Sequence, residues 1–600
     1  MKFGAEIVPT GVRFRLWAPK HQHVSIELAD EAVRLPMCPL GDGWHELIAA
    51  SARAGTRYSF VLPGGSHVPD PASRFQPFDV HGPSEVIDPS AYEWRDGAWR
   101  GRPWEESIIY ELHIGAFTPE GTFRTAIDRL DHLARLGVTA IEIMPIADFP
   151  GRRNWGYDGV LLFAPDSSYG RPEDLKAFIE AAHLRGLMVF LDVVYNHFGP
   201  EGNYLPSYAP VLTDRHKTPW GPAINYDAEG SEVVRDLIIA NALYWIHEYR
   251  IDGLRLDAIH AIRDESAEHV LTGIAKRVRE SAAERHVHLI LENDRNEVSC
   301  LMRDARGQPT LYSAQWNDDV HHGLHSAATG ETAGYYGEYA GDIHKLARAL
   351  AEGFAFQGEI MHYRGEPRGE PSAGLPPTAF IAFIQNHDQI GNRAFGERLA
   401  MIAPAAAMRA VAAIYLLMPQ IPMMFMGEEW AAAQTFPFFC DFGPDLARIV
   451  REGRRVEFAK FPQFRDPEQA ARIPDPCAEQ TFLSAKLRWN NAEHGTHAEW
   501  LSFYRELIAV RRREIIPRLQ GMRGHSGCYE ILNGSGLRVA WLLGDGNRLA
   551  LTANLSASQL DLAESGRGRR IWVEGEATEG RLGAWSVVWT MAQSDRHDQS

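Results

Sequence analysis

The chain carries no surplus of positive charge: 61 Lys and Arg stand against 78 Asp and Glu, a formal net charge of −17 at pH 7. That sign disfavours nucleic acid and anionic membranes as partners and is compatible with a neutral substrate. Cysteine is scarce. The five present (Cys38, Cys300, Cys440, Cys477 and Cys528) are odd in number, scattered and without a CxxC spacing. Neither a disulfide framework nor a zinc site is therefore expected, and a reducing compartment fits best. The start, MKFGAEIVPTG, lacks a basic stretch followed by an apolar core, and the greasiest segment, Ala410 to Met426, is interrupted by Pro419, Gln420 and Pro422. Neither a leader nor a membrane span is expected, which points to the cytoplasm. Internal repeats and low-complexity tracts are also missing. With 600 residues the chain exceeds one compact domain, so two or three folding units are expected.

From Gly11 to about Asp88, short alternating runs such as GVRFRLWAP and HVSIEL are separated by Gly, Pro and Asp turns, the pattern of an antiparallel β-sandwich. We read 1–90 as this N-terminal domain and the Trp- and Arg-rich stretch 91–104 as a connector. Strand and helix signals then alternate over 105–520, with a short insertion at about 198–230. The spacing predicts a helix begun by Thr122, with Phe123, Ile127, Leu130 and Leu133 on one face, and ended by Gly137. A second has Pro172 in its first turn and Gly186 just past its end. Eight apolar runs end in polar clusters: IIYELHI, AIEIMPI, MVFLDVV, GLRLDAI, HLILEN, YSAQWND, FIAFIQNHD and IPMMFMGEEW. Strands buried on both faces look like this, and eight is the number that closes an α/β barrel of the (β/α)8 type. Alternating runs return over 521–600, predicting a C-terminal antiparallel β domain whose last residues, QSDRHDQS, are expected to fray.

Carboxylates stand at the ends of several of these strands, where a parallel barrel gathers side chains at one mouth, and paired carboxylates are what cleavage of a glycosidic bond requires. In GLRLDAI, Arg255 and Asp257 are two apart and project to the same side of a strand, while Leu254 and Leu256 face the helices. A guanidinium beside Asp257 would hold it ionised, as a nucleophile must be. The alternative is an ion pair that only ties off the barrel interior. Glu292 ends the apolar run HLILEN, and burial there would raise its pKa toward the protonated form that a general acid needs. Capping of the following helix is the competing role. Asp388, after Asn386 and His387, could bind ring hydroxyls as oxocarbenium character develops, or simply form a turn.

Taken in order, DVVYNH, GLRLDAIHA, the strand bearing Glu292 and QNHDQIGN resemble the four signature regions of the α-amylase superfamily, over about Trp104 to Gln520. The resemblance implies Asp257 as nucleophile, Glu292 as acid/base and Asp388 as transition-state stabiliser, acting by retaining double displacement with no cofactor. It also implies that Arg255, His197 and His387 surround the sugar, that Asp192 holds Arg255, and that Tyr157 stacks beneath the sugar. The N-terminal sandwich is similar to the module of branching enzymes, debranching enzymes and trehalohydrolases. The first motif lacks the Trp-Val-Pro-Gly-His form usual in branching enzymes, and Asn293 and Asp294 stand where debranching enzymes usually have Pro-Trp. The remaining pattern, LRLDAIHAI, LENDRN, QWNDDVHH and QNHDQIGNR, is similar to the trehalohydrolases that release trehalose from maltooligosyl trehalose by cutting the α-1,4 bond beside it. That implies a maltooligosyl trehalose synthase as functional partner. A branching or α-1,6-debranching enzyme is the alternative, and a non-catalytic glucan-binding barrel a remote one.

His260, Asp294 and Arg295 are candidates for recognising the trehalose leaving group, with helix capping or surface charge as their competing roles. Trp155, Trp220 and Trp316 are expected on loops at the same mouth, either stacking on sugar or packing in the core. His321 and His325 are spaced i and i+4, but the HExxH pattern would need Glu where His322 stands, so no metal site is expected. The short insertion after His197 puts the superfamily's calcium site in doubt.

Overall fold

The computed structural model describes residues 2–29, 33–461, 464–563 and 567–593. All but the first residue of the expected frayed tail lies outside them. In Gly11–Trp17 every second side chain (Val12, Phe14, Leu16) is buried. Glu6–Val8, Gly11–Trp17, Trp44–Ala49 and Cys38–Gly41 form one antiparallel sheet, and Val33–Pro36, Ser25–Leu28, Arg57–Val61 and His67–Val68 belong to a second. Phe14 of the first meets Tyr58 of the second with ring centroids 4.6 Å apart, so the two sheets share one core.

Eight parallel strands close a barrel in chain order. They are β1 (Ile109–Leu112), β2 (Ala140–Ile143), β3 (Met188–Val193), β4 (Gly253–Leu256), β5 (His288–Leu291), β6 (Ala314–Trp316), β7 (Phe380–Ala382) and β8 (Ile421–Phe425). Each falls within one of the eight apolar runs. Their side chains divide between an inner cluster containing Phe190, Ile290, Trp316 and Met423 and an outer one containing Leu254, Leu256 and the surrounding helices. Alternation along a strand produces this division, and burial on both faces explains the continuous apolar sequence.

The first barrel helix differs from expectation. Thr122 caps it, accepting from the Thr125 N–H, and Gly137 ends it at φ 101°, but two short helices, Phe123–Ile127 and Leu130–Leu136, replace the single one. Between them Asp128 N–H donates to Thr125 O and Arg129 N–H to Ala126 O, tight i to i+3 bonds that turn the axis. Pro172–His183 is helical as read, and Ser231–Glu248 forms a longer helix. The greasy segment divides into a helix, Ala405–Leu417, and β8, on either side of Met418 to Gln420. No helix among the described residues is long and apolar enough to cross a membrane.

Beyond the barrel, Gly527–Leu532, Gly536–Leu542, Arg548–Asn554, Ser586–Ala592 and Arg569–Glu574 form a five-stranded antiparallel sheet. The Trp589 indole donates to Ala413 O at 3.0 Å, and Arg409 pairs with Glu574 at 2.6 Å, fixing this sheet to the barrel helix Ala405–Leu417.

The sequence made the cysteines look unrelated. Cys440 and Cys477 nevertheless meet with their sulfurs 3.4 Å apart, because the chain leaves the barrel after β8, runs through the helix Pro444–Phe458 and returns. The Cys440 N–H donates to Pro476 O at 3.0 Å and holds the two ends of this excursion together.

Candidate active site

Barrel register decides which side chains meet at the C-terminal mouth. In the pairing of β3 with β4, Asp192 lies beside Arg255; in that of β4 with β5, Leu256 lies beside Leu291. Asp257 and Glu292, each one residue beyond its strand, therefore emerge at the same level. Neighbouring strands are about 4.8 Å apart, so groups level with one another are within reach of a single guanidinium.

That guanidinium is Arg255, which is fully buried. Its Nη1 donates to Asp192 Oδ2 at 2.6 Å and to Asp257 Oδ1 at 2.9 Å, and its Nη2 donates to Glu292 Oε2 at 2.8 Å. Its plane lies over Trp316, 4.0 Å from the ring centroid. Trp316 thus ends β6 beneath the mouth, 2% exposed, instead of standing on a loop beside the sugar. One cation held between three carboxylates and an aromatic face is fixed in position, which a planar fork achieves and an ammonium does not.

Each carboxylate has a different setting. Asp257 is 8% exposed and has both oxygens engaged, Oδ1 by Arg255 and Oδ2 by the Asn196 amide at 2.6 Å. Glu292, which lines the cleft, accepts on Oε2 a second bond, from the Ala258 N–H at 2.8 Å, and among the described residues its Oε1 has no hydrogen-bond partner. Burial raises the Glu292 pKa against the opposing pull of Arg255, and Asp257 nearby raises it further. Ala258 reaches this bond through a left-handed backbone, φ 38°, a conformation costly for a residue with a Cβ. Asp388 is the most open of the three, accepting from the Asn392 amide at 3.2 Å and lying 3.5 Å from His387 Nε2. Burial would lower the His387 pKa, but Asp388 and Glu111 outweigh it and lift it to about 9, so this imidazole is a cation at neutral pH.

A cleft of about 670 Å³ opens over these groups, a size suited to sugar rings. Asp257, Glu292, Asp388, Tyr157, His197 and His387 all line it. The Tyr157 hydroxyl donates to Asp192 Oδ2 at 2.6 Å, and its ring stacks on His387, centroids 5.0 Å apart. His197 contacts Tyr157 O at 3.0 Å through Nε2 and is covered by the half-exposed Trp220, stacked at 4.5 Å. Trp155 is buried against His387 and Phe436 and supports the segment carrying Phe438.

The three further candidates separate. His260 and Asp294 line the cleft, and the Asp294 N–H donates to His260 Nδ1 at 3.4 Å. Burial pushes Asp294 up, but ion pairing with Arg364 and the charge of Arg368 hold it below the usual carboxylate range. Arg295 is not brought to the cleft: its side chain is half exposed, 4.0 Å from Glu297. Of the histidine cluster, His321 contacts Ile384 O at 2.9 Å and His325 contacts Glu331 at 2.7 Å, so each is engaged within the fold. Elsewhere His216, Asp227 and Glu265 bring donor atoms within 4.8 Å of one another, but Arg215 already pairs with both acids.

Sequence reasoning missed several lining groups. Asn392, four residues after Asp388, could have been suspected; Asn196, inside the motif DVVYNH, is not a lining residue but holds Asp257 through its amide. Asp318 ends the run YSAQWND and so carried the same strand-end signal as the other carboxylates; its carboxyl, pushed up to about 8 by burial and then by Glu292, enters the cleft where the helix Asp318–Thr329 begins. Phe438 and Arg454 arrive from the excursion after β8, which nothing local assigns to the mouth.

The catalytic-domain model of the alpha-amylase family matches residues 84–211, and a domain of unknown function matches 524–589. A malto-oligosyltrehalose trehalohydrolase from Deinococcus radiodurans is 41% identical over 567 residues, covering 92% of this chain and 91% of that protein. One from Saccharolobus solfataricus is 39% identical, covering 94% and 95%. A crystal structure of a Salmonella typhimurium protein described as an alpha amylase superposes with a TM-score of 0.94 at 49% identity, covering 98% of this chain and 99% of that one.

Proposed function

The chain belongs to the malto-oligosyltrehalose trehalohydrolase family within the α-amylase superfamily, and from that premise we propose how its cleft performs the reaction. The protein is a glycoside hydrolase that cleaves the α-1,4 bond joining the terminal trehalose unit to a malto-oligosaccharide, with water as second substrate. The observation that carries the mechanistic reading is the Arg255 fork, which orders Asp257 and Glu292 on one cation and engages Glu292 through Oε2.

Asp257 attacks the anomeric carbon, and Glu292, whose pKa burial raises, delivers its proton to the departing oxygen of trehalose. Water then enters, Glu292 takes its proton, and the glycosyl–Asp257 ester is hydrolysed to the shortened malto-oligosaccharide. Asp388 and the His387 cation bind ring hydroxyls beside the reacting carbon, with contacts that strengthen as the ring flattens. Arg255 and Asp192 are positioning residues. His260 and Asp294 present a nitrogen and a carboxylate to the leaving disaccharide; a wrong leaving group would leave them unpaired, a stronger rejection than a hydrophobic wall gives. Because the substrate carries a 1,1-linked reducing end, an enzyme isomerising the end of a malto-oligosaccharide must supply it.

Separate incubations with maltopentaose, branched glucan and maltooligosyl trehalose, followed by chromatography of the products, test this reading. Rapid trehalose release from the third is expected. Faster release of reducing sugar from branched glucan would favour the debranching alternative instead.

A further inference from the structure

At the opposite end of the barrel a second cavity, of about 530 Å³, lies where the strands begin. Its walls come from the residues before β1, the segment from Arg279 to His288 leading into β5, the loop before β6 and the chain at Leu519 to Arg523 that leaves for the C-terminal sheet. Its charge is the reverse of the whole molecule's. Arg279, Arg285, Arg303, Arg306 and Arg523 line it and a single carboxylate, Glu105, does so, in a chain whose formal charge is −17.

Most of this positive charge is uncompensated. Among the described residues, Arg285 alone of these five has a carboxylate partner, Asp252, at 3.0 Å. Arg279 donates only to a backbone carbonyl, Leu311 O, at 2.7 Å from Nε and 2.5 Å from Nη2. Arg303 is held similarly, by Ser313 O at 2.6 Å, Tyr312 O at 3.3 Å and Leu301 O. Among the described residues neither enters an ion pair, and neither do Arg306 and Arg523, which stand exposed on the rim. Burial, with the repulsion of Arg279, lowers the Arg303 pKa to about 10. Several guanidiniums lining one cavity with few counter-charges are electrostatically unfavourable alone and are relieved by an anion.

We propose that this cavity binds a phosphate-bearing small molecule, its phosphoryl oxygens held by Arg306 and Arg523 at the rim within the field of Arg279 and Arg303 at the floor. Guanidinium forks match phosphoryl geometry, and the cavity has the volume of a small-molecule site and not the length of a nucleic-acid groove. Since its walls include both barrel loops and the segment Leu519 to Arg523, the ligand braces the junction between the barrel and the C-terminal sheet. It lies away from the carboxylates of the cleft, so binding is read without any glucan and stands or falls independently of the reaction.

Calorimetric titration of the full chain with inorganic pyrophosphate at constant ionic strength tests the proposal. Saturable one-to-one binding is expected with a dissociation constant at or below about 1 mM, with a Tm that climbs with ligand concentration. Parallel titrations with a hexose phosphate and a nucleoside diphosphate identify the source by the tightest binder. The double variant Arg306→Glu, Arg523→Glu, two exposed side chains without an ion pair among the described residues, should weaken binding at least about tenfold and leave trehalose release unchanged. Absence of saturation with all three ligands, equal affinity in the double variant, or equal stabilisation by chloride at matched ionic strength would each overturn it.

Discussion

Replacing Arg255 by Lys keeps the positive charge of the site but removes its fork. In the native site one guanidinium serves Asp192 at 2.6 Å, Asp257 at 2.9 Å and Glu292 at 2.8 Å. An ammonium at the end of a flexible stem can keep about one of these contacts. Charge-assisted bonds contribute about 1.5 to 3 kcal/mol each, so losing two removes about 3 to 6 kcal/mol of ordering. Each tenfold in rate corresponds to about 1.4 kcal/mol, and kcat/KM should therefore fall by about two to four powers of ten. The pH profile should move as well. As the proposed general acid, Glu292 must be protonated to act, so activity should decline as pH rises through its pKa. Arg255 opposes the upward push of burial on that group, and moving positive charge away lets the pKa rise further. The alkaline limb of kcat/KM should consequently shift to higher pH in Arg255→Lys. Steady-state kinetics on maltooligosyl trehalose across pH 4 to 10, with Tm recorded alongside, supply the readout. A variant within tenfold of the parent, or an alkaline limb moved to lower pH, would refute the idea that the fork organises the acid and the nucleophile.

Asp257→Ala and Glu292→Gln should each reduce turnover by several powers of ten with circular dichroism and Tm essentially preserved; a mild effect at either would reject its catalytic role. His387 is buried and its pKa rises to about 9 in the folded protein, against about 6.5 unfolded. Its contribution, about 3 kcal/mol, is fully present below about pH 6.5 and lost as pH rises through about 9. Urea midpoints should fall over that window, and fall less in His387→Gln. Treatment with a small-molecule disulfide should join Cys440 to Cys477, whose sulfurs are 3.4 Å apart, with the reagent released as thiol, while the exposed Cys38 and Cys528 form only mixed disulfides with the reagent. Peptide mapping under non-reducing conditions that finds the joined pair absent would contradict the observed geometry.

The sequence by itself determined the elements: eight continuous apolar runs became eight barrel strands, and alternating runs became antiparallel sheets on either side. These features were legible because they depend on the period of neighbouring residues, which the chain states locally. The three carboxylates and Arg255 could be named for the same reason, as motifs at strand ends. What the tertiary structure alone decided was everything set by register and by distant returns of the chain. Closure placed Asp192 level with Arg255 and Asp257 level with Glu292. It put Trp316 beneath the guanidinium and left Arg295 outside the cleft. The left-handed turn at Ala258 and the arrival of Phe438 and Arg454 have no local signature, since each answers to a neighbour far along the chain. The meeting of Cys440 with Cys477 and the gathering of unpaired arginines below the barrel follow the same rule. Pattern fixes which face of an element is apolar, whereas packing against remote elements fixes what each polar side chain will touch.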